Sequence, residues 1–181
     1  MKYIRSQKNR GFTIVEMLIA VFIFTLSLAA LMTIASRGLK VANQAQKQVV
    51  AEYLALEGIE AARNVRDAAF IRFDNTSTWQ QVFDQNNCLS GQYSGDNNGC
   101  EFELGTQIIL RPCSECRVKY SEPNYSYRQG STSANYLPSP YTRKIEFAQV
   151  IGNSNEIIVT VTVTWDGGEV VYTEDLFLWL L

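Results

Sequence analysis

Lys8-Asn-Arg-Gly-Phe-Thr-Ile-Val-Glu16 joins a basic leader to an apolar run, and Met17-Leu-Ile-Ala-Val-Phe-Ile-Phe-Thr-Leu-Ser-Leu-Ala-Ala-Leu-Met-Thr-Ile-Ala35 carries that run on for 19 residues without a charge. About 20 apolar residues span a bilayer as a helix, so the stretch reads as a membrane segment. From Phe12 to Ser36 the sole ionisable side chain is Glu16. A charge there costs a few kcal/mol unless something neutralises it. Cutting the chain between Gly11 and Phe12 would create a partner, an α-amine four residues upstream of Glu16. In a helix the two groups share a face, about 6 Å apart along the axis. A carboxylate in the first turn suits the positive end of the helix dipole, whereas the free amine opposes it. Glu16 would neutralise its own amine or a neighbour's. A neighbour's amine would set the axial stagger between packed helices, because any other register leaves charges buried in hydrocarbon.

The stretch Arg10-Gly-Phe-Thr-Ile-Val-Glu-Met-Leu-Ile-Ala20 resembles the processing signal of type IV prepilins and of type II secretion pseudopilins, the class III signal peptides. The resemblance implies cleavage after Gly11 by a membrane aspartyl prepilin peptidase, methylation of the new Phe12 amine, and Glu16 as the assembly carboxylate. It implies as partners other pilin or pseudopilin subunits, the peptidase, an inner-membrane assembly platform and membrane lipid. Two plainer readings compete. An ordinary secretory signal has an apolar core of about 7–15 residues and a small-residue cleavage site, shorter than this run. A single-pass anchor accounts for the length but not for Gly11-Phe-x-x-x-Glu16.

Lys2, Arg5, Lys8 and Arg10 precede the run and Arg37, Lys40 and Lys47 follow it, a positive-inside bias of four against three. With no acidic residue before Glu16, and with the resemblance, the leader is expected in the cytoplasm. Everything after Ser36 is expected outside the inner membrane, as a periplasmic or extracellular ectodomain and then as part of a filament. The chain has 16 basic and 18 acidic residues, and without the leader's four cations 12 stand against 18, a net side-chain charge of −6. That balance opposes nucleic-acid binding through phosphate neutralisation by the body of the domain. The 170 residues after Gly11 leave room for one modest core. The expected organisation is a leader at 1–11, a transmembrane and assembly helix at 12–36, an amphipathic continuation at 37–67, and a β-rich ectodomain at 68–181.

No proline occurs from Met1 to Arg111. Leu39, Ala42, Val49, Val50, Tyr53, Leu54, Ile59, Ala62 and Val65 recur at helical spacings between charged residues. One helix is expected from about Thr13 to about Val65, on the order of 80 Å long. Gly38 and Gly58 are its weak points, at about 1 kcal/mol each relative to alanine. Gly38 falls where lipid gives way to water and reads as a bend or melting site, or as a tolerated surface glycine. The segment Tyr53-Leu-Ala-Leu-Glu-Gly-Ile-Glu-Ala-Ala-Arg-Asn-Val-Arg-Asp67 is similar to the helix of minor pilins and pseudopilins of the pilus-modification, I/V type. Its Glu57, Glu60, Arg63 and Arg66 read equally as surface pairs.

From Phe70 to Gly99 the helical period is lost, which predicts a long connection with a short helix around Trp79 to Phe83. Strand character follows at Glu103 to Leu110, Arg117 to Tyr120, Arg143 to Val150, Glu156 to Trp165 and Glu169 to Trp179. In Ile157-Ile-Val-Thr-Val-Thr-Val-Thr-Trp165, Val159, Val161, Val163 and Trp165 face one way and the threonines the other. Asp166-Gly167-Gly168 supplies a hairpin turn. The apolar stripe of the helix is the natural cover, giving an α+β, pilin-like fold with an antiparallel sheet on the helix's C-terminal half. The closing hairpin, through Leu176-Phe-Leu-Trp179, also resembles that of I/V-type minor subunits.

Cys88, Cys100, Cys113 and Cys116 are an even set in a stretch expected outside the cytosol, and three disulfide pairings are open. Cys88 with Cys100 and Cys113 with Cys116 closes short local loops, though sequence does not decide it. A zinc site is the rival, but Cys88 and Cys100 have the wrong spacing for half of one. With no histidine anywhere, Ser-His-Asp and Cys-His catalysis and histidine-bearing metalloprotease motifs are excluded. No catalytic residue, metal ligand or cofactor is expected. Ser94-Gly-Asp96-Asn-Asn98-Gly99 faintly resembles a calcium loop, yet its twelfth position falls on Gly105 rather than glutamate, so it reads as a turn. Ser121 to Tyr141, with Tyr125, Tyr127, Tyr136 and Tyr141, suits either recognition or covering the sheet, the latter preferred. The whole points to a structural, non-enzymatic minor pilin or pseudopilin. The alternatives are a tip subunit for adhesion or DNA uptake, and an anchored binding module that never polymerises.

Overall fold

The computed structural model describes residues 11, 13–73, 79, 81–85, 88–90, 99–104, 108–122, 126–130, 136–153 and 155–177. Residues 1–10 of the leader, Phe12, Ser94–Asn98, Gly105, Tyr125 and Trp179 lie outside the described residues. The chain divides into two compact units, 1–44 and 45–181. Helix α1, Ile14–Phe73, contributes to both.

From Met17 to Ala35 α1 carries no charge on any side, and all the described side chains of the first unit are exposed, from Ile14 through Leu18 and Phe22 to Met32. It is long and apolar enough to cross a membrane. Its polar groups are satisfied within the helix, as hydrocarbon demands. The hydroxyls of Thr25, Ser27, Thr33 and Ser36 donate to the carbonyls of Phe22, Ile23, Ala29 and Thr33 at 2.8, 2.8, 2.9 and 3.0 Å. The helix passes unbroken through Gly38, where an added Cβ would meet nothing within 4 Å. Melting there is not observed.

In the second unit the rest of α1 packs against a sheet. The strands are β1 Leu89–Ser90, β2 Cys100–Leu104, β3 Ile108–Pro112, β4 Arg117–Ser121, β5 Ser126–Arg128, β6 Leu137–Gln149, β7 Glu156–Trp165 and β8 Gly168–Phe177, with a short helix α2, Gln81–Gln85, before them. The long strand β6 organises the sheet. It pairs with β7 along one edge, and with β4, β2 and the two-residue parallel β1 along the other. All pairings but β1–β6 are antiparallel. In the β7–β8 hairpin Trp165 pairs with Gly168 across Asp166-Gly167, and Gly167 takes the positive φ that a two-residue turn of this kind requires.

The buried face of α1 differs from the expected stripe. Leu54, Ile59, Ala62 and Val65 are buried, but Leu39, Ala42, Val49 and Tyr53 are exposed, and the contact surface begins only near Lys47. Its spine is Ala51, Ala55, Gly58, Ala62, Val65 and Ala69, spaced alternately four and three apart. These small residues let helix and sheet approach closely. A Cβ on Gly58 would sit 2.8 Å from Val161 Cγ1, so this glycine is a site of close approach rather than a weak point. Opposite it lie Ile145, Phe147, Ile157, Val159, Val161, Val163 and Leu176, all buried.

Other boundaries shift for local reasons. The helix runs eight residues past Val65 because Ala68-Ala-Phe-Ile71 contains no breaker and Ala69 extends the buried spine. Glu103–Leu110 is not one strand but the inner halves of β2 and β3, paired from Cys100↔Pro112 to Leu104↔Ile108. The strand expected from Arg143 starts at Leu137 instead, its two prolines lying at the outer end. The tyrosine-rich segment thereby contributes β5 and the first five residues of β6 to the sheet. Trp79 and Phe83 are buried and meet edge-to-face at 6.0 Å, and Phe83 lies 4.6 Å from Phe147.

Candidate functional site

The N-terminal turn of α1 is set by Thr13. Its carbonyl accepts the N–H groups of Glu16 and Met17 at 3.1 and 3.2 Å, and its hydroxyl accepts the Glu16 N–H at 3.3 Å. Thr13 is therefore the N-cap, satisfying donors that a helix start leaves unpaired. The signal is present in the sequence as Thr13-x-x-Glu16, the capping-box spacing. The cap fixes Glu16 as the acidic residue of the first turn, exposed on a helix whose other described side chains, from Ile14 to Ser36, carry no charge. Gly11 is exposed as well. Phe12 lies outside the described residues, so the separation between its amine and Glu16 is an expectation of helical geometry.

In the second unit the notable chemistry is a buried cation that sequence reading missed. Arg143 is 1% exposed, and its Nη1 donates to Glu57 Oε2 at 2.7 Å and to the Leu54 carbonyl at 3.1 Å. Its Nε donates to Gln129 Oε1 at 2.8 Å, and the guanidinium lies 4.1 Å from the centre of the Phe102 ring. Gln129, also buried, donates through Nε2 to the carbonyls of Cys116 and Arg143 at 2.7 and 2.8 Å. Burial pushes the Arg143 pKa down, and Glu57 opposes that shift. Strand alternation would have flagged the residue, since Tyr141, Arg143, Ile145 and Phe147 share the core-facing side of β6. The network ties the sheet to one turn of α1, and no substrate-sized chemistry follows from it.

The cysteines pair as Cys88–Cys100 and Cys113–Cys116. Cys116 has a φ of 51°, and its carbonyl also accepts the Arg143 N–H at 2.9 Å, so the short disulfide loop abuts the arginine network. Tyr127 and Tyr141 meet edge-to-face at 5.8 Å, and the Tyr141 hydroxyl donates to the Lys47 carbonyl on α1 at 3.3 Å. Burial raises the pKa of both phenols. Tyr136 lies under the Arg128 guanidinium at 5.9 Å.

Residues 6–32 match the family model of the prokaryotic N-terminal methylation motif. Neither curated proteins nor solved structures give a match to the chain. The matched segment contains Gly11, Phe12, the Thr13 cap and Glu16, and continues into the apolar half of α1. The motif is the kind carried by pilin-like substrates of prepilin peptidase. Residues 6–32 thus carry the N-terminal methylation motif of class III signal peptides, and the chain follows it with a long apolar helix and a C-terminal antiparallel sheet, a pilin-like architecture.

Proposed function

We propose that the chain is a structural subunit of a type IV pilus or type II secretion pseudopilus, a minor pilin or pseudopilin of the I/V type. It is inserted in the inner membrane with its leader in the cytoplasm, cut after Gly11, methylated at Phe12, and drawn by an assembly platform into a filament built on its N-terminal helix. The observation that carries the reading is Glu16, an exposed carboxylate in the capped first turn of a helix otherwise chargeless to Ser36. In lipid that anion is tolerated only beside a cation, and processing supplies one at Phe12. Pairing across subunits would both neutralise the charges and select one stagger. The apolar length that lipid covers before assembly would be covered by neighbouring helices afterwards.

Glu16→Ala tests this. The variant should still insert and be processed, since the apolar run is intact, but its amount in sheared filaments should fall roughly tenfold or more, as expected when a charge-pair partner is removed. A variant recovered in filaments at the level of the unaltered chain would leave the anchored, non-polymerising module as the better account.

A further inference from the structure

A pocket of about 490 Å³ opens between α1 and the outer strand β5, within the roughly 300–1,000 Å³ that small-molecule sites occupy. From α1 come Val50, Tyr53, Leu54 and Glu57, whose spacing puts them on one stripe of the helix. From β5 come Ser126, Tyr127 and Arg128. Among the described residues that strand pairs only with β4, so its outer edge is left to border the pocket.

Two tyrosines supply its aromatic surface. Tyr53 is 70% exposed. Tyr127 is held in place, 5.0 Å from Tyr120 and edge-to-face with Tyr141 at 5.8 Å, while Tyr141 is tied to α1 through the Lys47 carbonyl. A ring fixed in advance lowers the ordering cost of binding. Glu57 is only partly used. Its Oε2 accepts from Arg143 at 2.7 Å, and among the described residues no donor reaches Oε1, which is left to accept from a ligand. Arg143 also offsets the charge of that carboxylate. The guanidinium of Arg128 is laid over the Tyr136 ring at 5.9 Å. The pocket thus offers apolar faces, a hydroxyl at Ser126 and an acceptor whose charge is already matched.

We infer that this pocket binds one ring of a neutral, N-acetylated saccharide. The CH-rich face of a pyranose packs on a tyrosine ring as other apolar surfaces do, its hydroxyls donate to Glu57 Oε1 and exchange hydrogen bonds with Ser126, and the acetamide methyl rests on Val50 and Leu54. A quaternary ammonium is the other guest that paired tyrosines take. It is disfavoured here because the buried Arg143 cation already sits 2.7 Å from the carboxylate that would attract it. An acidic sugar would bring a second carboxylate beside Glu57. The pocket lies wholly in the second unit, so the inference stands apart from the filament reading.

The test titrates the full-length chain, in a detergent without a sugar headgroup, with chitotriose and with cellotriose, which lacks the acetamides, and reads saturation-transfer NMR. Chitotriose should bind saturably with its strongest transfer at the acetyl methyls, and cellotriose should bind roughly fourfold or more weakly. Tyr53→Ala should lower chitotriose affinity about tenfold with the thermal midpoint unmoved, since the ring is exposed, while Tyr53→Phe keeps the affinity. Absence of saturable chitotriose binding overturns the inference, as does equal binding of cellotriose or a Tyr53→Ala chain that binds as well as the unaltered one. Choline or trigalacturonate binding more tightly than chitotriose overturns it in favour of a charged guest.

Discussion

Glu57→Gln removes a charge while keeping shape, and it isolates what the contact between α1 and β6 contributes. Arg143 stays protonated in any protein setting, so the substitution leaves a buried cation facing neutral acceptors. Breaking a buried pair by removing one partner typically costs about 3–5 kcal/mol. The Glu57 side chain is 40% exposed, so water reaches one side of this pair. The expected loss is therefore discounted to about 2 kcal/mol. For a folded unit of this size that lowers the thermal midpoint by about 6 °C. Trp79, buried in the core, reports the transition by fluorescence on the full chain in detergent. Arg143→Met should lose more, because the Leu54 carbonyl and Gln129 lose a donor as well. In the double variant the losses should fall short of additive by at least about 1 kcal/mol, as for residues in one network. A Glu57→Gln midpoint unchanged within about 1 °C, or strictly additive losses, would refute the coupling.

Gly58→Val should destabilise the second unit by about 2 kcal/mol, since the new side chain meets Val161 and overpacking outweighs the gain in helix propensity. Gly38→Ala, at a position with open space around it, should leave the same midpoint unmoved. Burial raises the Glu101 carboxyl above its ordinary value of 4.5. The folded chain then keeps this proton to higher pH than the unfolded chain, and ionisation weakens the fold as pH rises through the raised value. Glu101→Gln should accordingly raise the midpoint at neutral pH and change nothing below the ordinary carboxylate range; equal shifts in both regimes would contradict the burial account.

The parts of this fold written in local pattern were legible before the structure. The apolar run, the helix beyond it, and the β7–β8 hairpin with its Asp166-Gly167 turn follow from periodicity and turn chemistry. Glu156–Trp165 was bounded correctly because Thr and Val alternate without interruption. The buried side of α1 was harder, since Ala51, Ala55, Gly58 and Ala69 contribute little hydrophobicity and matter through closeness. Leu39 and Tyr53 drew attention by their size and are exposed. Arg143 was missed because a charge is expected outside, and only its partners Glu57, Leu54, Gln129 and Phe102 make its burial tolerable. Those partners come from three separated segments, a juxtaposition that no local pattern encodes. The cysteines at 88 and 100 were visible, but the division of Glu103–Leu110 between β2 and β3 was not. At the N-terminus, Gly11, Phe12 and Glu16 stood out by spacing, and Thr13 was overlooked for want of a capping test.

The central claim is that Glu16 is matched by an amine made when the leader is removed. Intact-mass and fragment analysis of the chain isolated from its own membranes or filaments tests that most directly. The account predicts a first residue of N-methylated Phe12; a chain that still begins at Met1 and carries Gly11 joined to Phe12 would contradict it.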